Sequence, residues 1–250
     1  MVQLPDTEPT RASILGALVH GRKHHALLLY ILLLTVWPWL HDRREPLQAA
    51  VWLRALDAVD VPNSPKALTW SPSSLSRAWA ALADAGLVAT SREARLVRVL
   101  PRREDAREDY GFPRGRNDRW NAYFALPDEF WNDGWFARLS LPALAMLLVV
   151  AKETNGKDEV WLTYDNCNEW YGIKPKSAQK GVTELIAVGL LHKRVEMKKA
   201  PLSPTGQTTR TWYSLTGEFG HQSRAARQKR AAKETRKRAK GAKPTRLVTP

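Results

Sequence analysis

Apolar positions along the chain fall into two kinds of run. Residues 26–40 (ALLLYILLLTVWPWL) are almost wholly apolar and read as a buried helix, with further helices expected over 46–56 and 141–154. Elsewhere the apolar residues recur every three or four positions. From Pro175 to Gly189, the residues Ala178, Val182, Leu185 and Ile186 share one helical face, while Lys176, Gln179, Lys180 and Thr183 share the opposite one. That segment has a counterpart upstream. A shift of 103 residues aligns Pro72 with Pro175, Ser74 with Ser177, Arg77 with Lys180, Leu82 with Leu185, and Gly86-Leu87 with Gly189-Leu190, without a gap. Proline suits a first helical turn, Ser71 is a natural N-cap, and the two glycines can take the left-handed conformation that ends a helix.

The flanks repeat as well. After the second helix, 190–198 alternates as a strand, 199–209 is a loop rich in Pro, Ser, Thr and Gly, and 210–215 returns. After the first, 87–91 and 95–100 make a shorter hairpin with a polar tip at 92–94. Upstream of the second helix, 160–162 reads as a short strand, Thr163 caps a helix to Tyr171, and Gly172-Ile173 turns into Pro175. Upstream of the first, residues 57–70, with Pro62 and Pro65, are longer than a compact helix–turn–helix needs. The expected fold is mainly α with small β-hairpins (α+β), two units of helices followed by a hairpin. The expected boundaries are a flexible N-terminus 1–21, a first, atypical unit 22–100, a charged linker 101–122, a second unit 123–218 and a basic tail 219–250.

Charge changes the picture. The 250 residues carry 39 Lys+Arg and 25 Asp+Glu, a formal charge of +14. Residues 221–250 hold 11 of the basic groups and one acid, so +10 belongs to the tail and the body is nearly balanced. Arg224, Arg227, Arg230, Lys233, Arg236 or Lys237, and Lys240 recur every three or four residues, a stripe in a helix. Alone, such charges repel, so the tail is expected to be disordered or only conditionally helical. A polyanion relieves that repulsion. The stripe has no large apolar residues to insert into a membrane surface. The apolar run of 15 residues falls short of the ~20 that span a bilayer. No signal-like N-terminus is present and Cys167 is the sole cysteine, which excludes a disulfide framework and a CxxC pair. A cytoplasmic, nucleoid-associated protein without a membrane partner is expected.

The order helix, strand, helix, turn, helix, hairpin over 141–215, with its Gly189-Leu190-Leu191 signature and basic strand, resembles the winged-helix branch of the helix-turn-helix superfamily. The tandem arrangement is similar to that of winged-helix regulators and plasmid replication initiators. The resemblance implies that the helix from Pro175 enters the major groove of double-stranded DNA and that the hairpin follows the backbone or minor groove. It would place Lys174, Lys176, Ser177, Gln179, Lys180 and Thr183 on the DNA, with Lys198, Lys199, Gln207, Thr208 and Arg210 on the wing. The first unit offers a thinner set, Ser73, Ser76 and Arg77 on the helix with Arg92, Arg95 and Arg98 on its hairpin.

Other chemistry is poorly represented. Gly16 and Gly21, followed by Arg22-Lys23, lack the Lys-Ser/Thr ending of a phosphate loop. His20, His24 and His25 have no neighbouring cysteine or HExxH pattern, and no GxSxG occurs. Asp128-Glu129 suits the start of a helix better than an acid/base pair. No enzyme activity, metal or cofactor is expected. Trp79 and Trp161 are expected in the core, and Trp37, Trp39 and Trp52 could build a homodimer interface on the first unit. The expected function is sequence-specific double-stranded DNA binding by a transcriptional regulator. A plasmid or mobile-element replication initiator is the alternative, and an RNA-binding or assembly protein is a further one.

Overall fold

Two helices of 13 residues, Pro72–Asp84 and Pro175–Ala187, lie at the 103-residue shift found in the sequence. Each ends on a glycine with positive φ, 71° at Gly86 and 76° at Gly189. At each end the following leucine N–H returns to the helix, Leu87 to Leu82 O and Leu190 to Leu185 O, both at 2.9 Å. A computed structural model describes residues 13–43, 45–57, 68–93, 96–105, 108–111, 123–204 and 206–241, with side chains as far as 233. In order, the helices before the first hairpin are α1 (Ile14–His20), α2 (His24–Leu40), α3 (Ala49–Ala55) and α4 (Pro72–Asp84), followed by β1 (Val88–Glu93) and β2 (Leu96–Pro101). Then come α5 (Glu129–Asn132), α6 (Trp135–Arg138), α7 (Leu141–Glu153), β3 (Val160–Trp161), α8 (Tyr164–Tyr171) and α9 (Pro175–Ala187). The chain continues through β4 (Leu191–Lys199), β5 (Gln207–Leu215), a 3-10 turn at Gly217–Phe219 and α10 (His221–Gly241). The fold is a mixture of helices with two small antiparallel sheets, β1-β2 and β3-β5-β4.

The two units bury their supporting helices for the same reason. α2 and α7 are apolar nearly all round, and each packs against the amphipathic helix of its own unit, α4 or α9. The approach is closer in the second unit. A Cβ on Gly181 would stand 2.3 Å from the Pro142 carbonyl oxygen, so only glycine lets α9 lie this close to α7. The first unit has Ala78 at the matching position. Glu184 of α9 then reaches the start of α7, where it accepts from Ser140 N at 2.7 Å and from the Ser140 hydroxyl. At the other end of α7, Lys152 donates to Tyr171 Oη at 2.9 Å and to Glu153 at 2.8 Å, and the Tyr171 hydroxyl donates to Glu153. Cys167, on the buried side of α8, is fully enclosed, and burial pushes its thiol up to about 12.

Several expectations are corrected. Residues from Ser13 onward are not a flexible lead: α1 is a capped helix packed on α2 and α7, with Gly16 inside it and Gly21 at its end. The charged segment starting at 101 is partly folded back on the first unit, with Pro101 in β2 and Arg102 bridged to Asp109. Arg103 there pairs with Asp105 at 3.0 Å and Glu108 at 2.6 Å, and the Tyr30 hydroxyl donates to Arg102 O at 2.7 Å. The basic tail, expected to be disordered or conditionally helical, forms a helix through Gly241, so this expectation is not among those overturned. Trp161 is 39% exposed rather than a core residue. Trp37 and Trp52 are buried within the first unit and are not offered to a partner, whereas Trp39 is exposed with Arg43 over its ring at 4.6 Å. Trp79, half-buried, meets Trp52 edge-to-face at 5.2 Å. The Pro62 and Pro65 stretch lies outside the described residues from 58 to 67. Among the described residues no helix is long and apolar enough to cross a membrane.

Candidate nucleic-acid interface

α9 starts abruptly because Pro175 stands in its first turn, and Ile173 and Ala178 are buried on either side of that start. Burial of Ala178, Gly181, Val182 and Leu185 fixes which side faces out. The outer side carries Lys174, Lys176, Gln179, Lys180 and Thr183, all exposed, with Ser177 half-buried beside them. Lys174 occupies the N-cap position without a side-chain cap bond, so no capping side chain covers the first amides of the helix. The six residues expected together from the sequence therefore do form one surface.

β4 and β5 form nine residue pairs, from Leu191–Leu215 to Lys199–Gln207, a ribbon roughly 27 Å long at ~3.4 Å per residue. Only its base is in the core, through Leu191, Tyr213 and Leu215. Lys198 faces Thr208 and Lys199 faces Gln207 across the far end, so four of the five expected wing residues sit together there. Arg210 lies nearer the base, half-buried, with its guanidinium 5.1 Å over the Trp161 ring and Glu196 as its cross-strand neighbour. On the same ribbon Arg194 is forked onto Glu159 at 2.7 and 3.2 Å and lies over Trp212 at 5.5 Å, while Trp212 Nε1 donates to Glu196 at 2.7 Å. The hydrogen bond from Arg194 holds the Glu159 carboxyl below its ordinary range.

The first unit presents less. Ser73 and Ser76 are exposed, but the Ser73 hydroxyl shares a 3.0 Å hydrogen bond with Ser71, and Arg77 Nε reaches back to Ser73 O at 3.4 Å. Arg92 is exposed and Arg98 is paired with Glu93, whose carboxyl is held below its ordinary value by that hydrogen bond. Arg95 and the side chains of Arg236, Lys237 and Lys240 lie outside the described residues. Of the clustered histidines, His20 donates from Nε2 to Gly172 O at 3.1 Å and His25 from Nε2 to Thr69 O at 3.4 Å. Among the described residues no three His, Cys, Asp or Glu side chains converge as a metal site.

The tail supplies the largest correction. Arg224 is 2% exposed, and its guanidinium donates to Phe219 O at 2.8 Å, Ala151 O at 2.8 Å and Thr154 Oγ1 at 2.7 Å. Arg227 joins Asp128 at 3.2 Å, Glu129 at 2.7 Å and Glu218 at 2.8 Å. These hydrogen bonds, led by those that Arg227 donates to Glu218 and Glu129, raise its pKa. Both arginines are committed to the protein, so the stripe available to a partner begins with Arg230 and Lys233, both exposed. Periodicity alone assigns the two to the stripe. The signal that separates Arg227 is the set of acids Asp128, Glu129 and Glu218, distant in sequence or easily assigned to a helix start, whereas Arg224, bound to backbone carbonyls and Thr154, has no such signal.

Glu184 and Gly181 carry no sequence pattern that singles them out, and the glycine pattern around Gly16 points elsewhere, yet all three set where α9 stands. Glu184 ties it to α7, Gly181 sets its distance, and a Cβ on Gly16 would lie 2.5 Å from Tyr171 O at the turn that leads into it. No family model matches the chain, and neither a curated protein nor a solved structure matches it.

Proposed function

We propose that the chain is a sequence-specific double-stranded DNA-binding protein built from two winged-helix units, with α9 as its reading helix and the β4–β5 hairpin as its wing. The observation that carries this reading is the exposed polar face of α9, aligned on a helix whose opposite face is locked into the core, beside a ribbon ending in Lys198 and Lys199. A face of this kind offers lysine to guanine acceptors and glutamine to adenine, with the hydrogen bonds to phosphate setting register. α10 beyond Arg227 adds affinity for any phosphate chain. Transcriptional regulation is the role this best supports. The second reading, initiation of replication at a plasmid or mobile-element origin, is favoured by two unlike units in one chain, which suit a site without twofold symmetry.

Selection of bound fragments from random duplexes tests the reading, with Lys180→Ala compared against the unaltered protein. The expected outcome is a bound motif in which one base position loses its preference, corresponding to roughly 1–3 kcal/mol of discrimination. Loss of affinity spread evenly over all sequences would instead place Lys180 on a phosphate. Preference for structured RNA over duplex DNA would overturn the DNA reading.

A further inference from the structure

The distal end of the β4–β5 ribbon carries an apolar side chain that no described residue covers. Leu202 is 102% exposed at the apex, between Pro201 and Pro204. Its loop is fixed by the chain's own hydrogen bonds: Ala200 N to Gly206 O at 2.8 Å, Ser203 N to Ala200 O at 2.9 Å, Gly206 N to Ser203 O at 3.0 Å and Ser203 Oγ to Gln207 O at 3.0 Å. Pro201 restrains the backbone before the leucine, and Gly206, with φ 69°, supplies the left-handed turn. A large apolar residue held outward on a hydrogen-bonded loop calls for an occupant in the bound state.

Charge identifies that occupant. Between Glu196 and Glu218 the sequence contains no acid, while Lys198, Lys199 and Arg210 supply cations. A second copy of the same hairpin would bring like charges together, whereas a phosphate-lined groove complements them. Size decides where on the duplex the apex fits. Two strands ~4.8 Å apart with side chains are too broad for a minor groove about 6 Å wide, but a single leucine at the apex is not. We propose that Leu202 is a wedge, entering a base step from the minor groove while Lys198 and Lys199 hold the flanking phosphates, so that binding unstacks that step and bends the DNA. Apolar wedges of this type kink duplexes by part-unstacking one step. The proposal rests on the DNA-binding reading and adds deformation to it.

The test uses the full chain and duplexes recovered by binding selection, resynthesised with 2-aminopurine at successive positions and with a donor–acceptor dye pair on the ends. The unaltered protein is expected to raise 2-aminopurine emission at one step and shorten the end-to-end distance. Leu202→Ser is expected to keep binding but lose both signals, and Leu202→Met to retain both. The apex touches no core, so thermal melting of both variants should match the parent. Binding without emission change at any step, or both signals surviving in Leu202→Ser, overturns the wedge and leaves DNA binding intact. A protein that is dimeric without DNA and made monomeric by Leu202→Ser assigns the apex to a second copy and also overturns it. Absence of any duplex binding overturns both readings.

Discussion

At the scale of single residues, His24 and Gly181 each set opposing effects against one another. His24 opens α2 with its Nε2 sealed from water and without a partner among the described residues. Burial, helped by the neighbouring His25, lowers its pKa from 6.5 to about 4. The unfolded chain therefore takes up a proton between pH 6.5 and about 4 that the folded chain refuses, so stability is retained above pH 6.5 and lost as pH falls through that window. The window is worth about 3 kcal/mol. Denaturant unfolding at pH 7 and pH 4.5 should show this loss, and His24→Leu should flatten the dependence. Gly181 poses a different contest. Alanine is favoured over glycine in a helix by about 1 kcal/mol. Its Cβ, however, would stand 2.3 Å from Pro142 O and 2.9 Å from Met146 Cγ, and a backbone oxygen cannot move aside cheaply. Gly181→Ala should cost roughly 1–3 kcal/mol in denaturant unfolding, the overpacking penalty winning.

At the scale of elements, α10 is two things joined end to end. Its first two turns are a clamp, since Arg224 is enclosed by the end of α7 and Arg227 by three carboxylates. Beyond residue 228 the sequence has nine Lys+Arg and one Glu. Deleting 229–250 should therefore leave the melting temperature unchanged and reduce the magnitude of the logarithmic salt slope by ~0.9 for each phosphate that is no longer neutralised. Arg224→Ala should do the reverse, destabilising the fold by roughly 3–5 kcal/mol in denaturant melts because it removes the partner of several buried carbonyls. An unchanged salt slope after truncation would remove the electrostatic role of the tail. The contrast also shows what was legible in the sequence. Helix starts and ends were, because Ser71, Thr163, Pro175, Gly86 and Gly189 act through their immediate neighbours. The exposed face of α9 was, because its period is local. The Arg224 and Arg227 clamp was not, since its partners are up to 99 residues away and nothing in a three-residue spacing distinguishes a buried arginine from a solvated one. Trp161 was misplaced for the same reason: its neighbour Arg210 comes from another strand of the sheet, far along the chain.

At the scale of the whole molecule, α1 is the bracket that relates the two units. It packs on α2 of the first unit and on α7 of the second, and Gly16 lies against the carbonyls of Tyr171 and Gly172 at the turn into α9. His20 adds a hydrogen bond to Gly172 O at 3.1 Å. The position of α9 is thus referred, through one short helix, to the unit that carries α4. If both units meet the same duplex, the separation of their sites is set by this bracket and not by the charged segment after β2. Gly16→Ala isolates the point: the residue is intrinsically better for α1, but its Cβ would lie 2.5 Å from Tyr171 O, so α1 must lift away. Hydrogen exchange in α1 should rise while exchange in α7 and α9 stays slow, since their own core is untouched. On DNA, the unaltered protein should tolerate one spacing between the two recognised segments and lose affinity when base pairs are inserted between them. Gly16→Ala should bind the inserted sites nearly as well as the original one, at a lower affinity for the original. Equal sensitivity to insertion in both proteins would show that another part of the molecule, not α1, fixes the two units on the duplex.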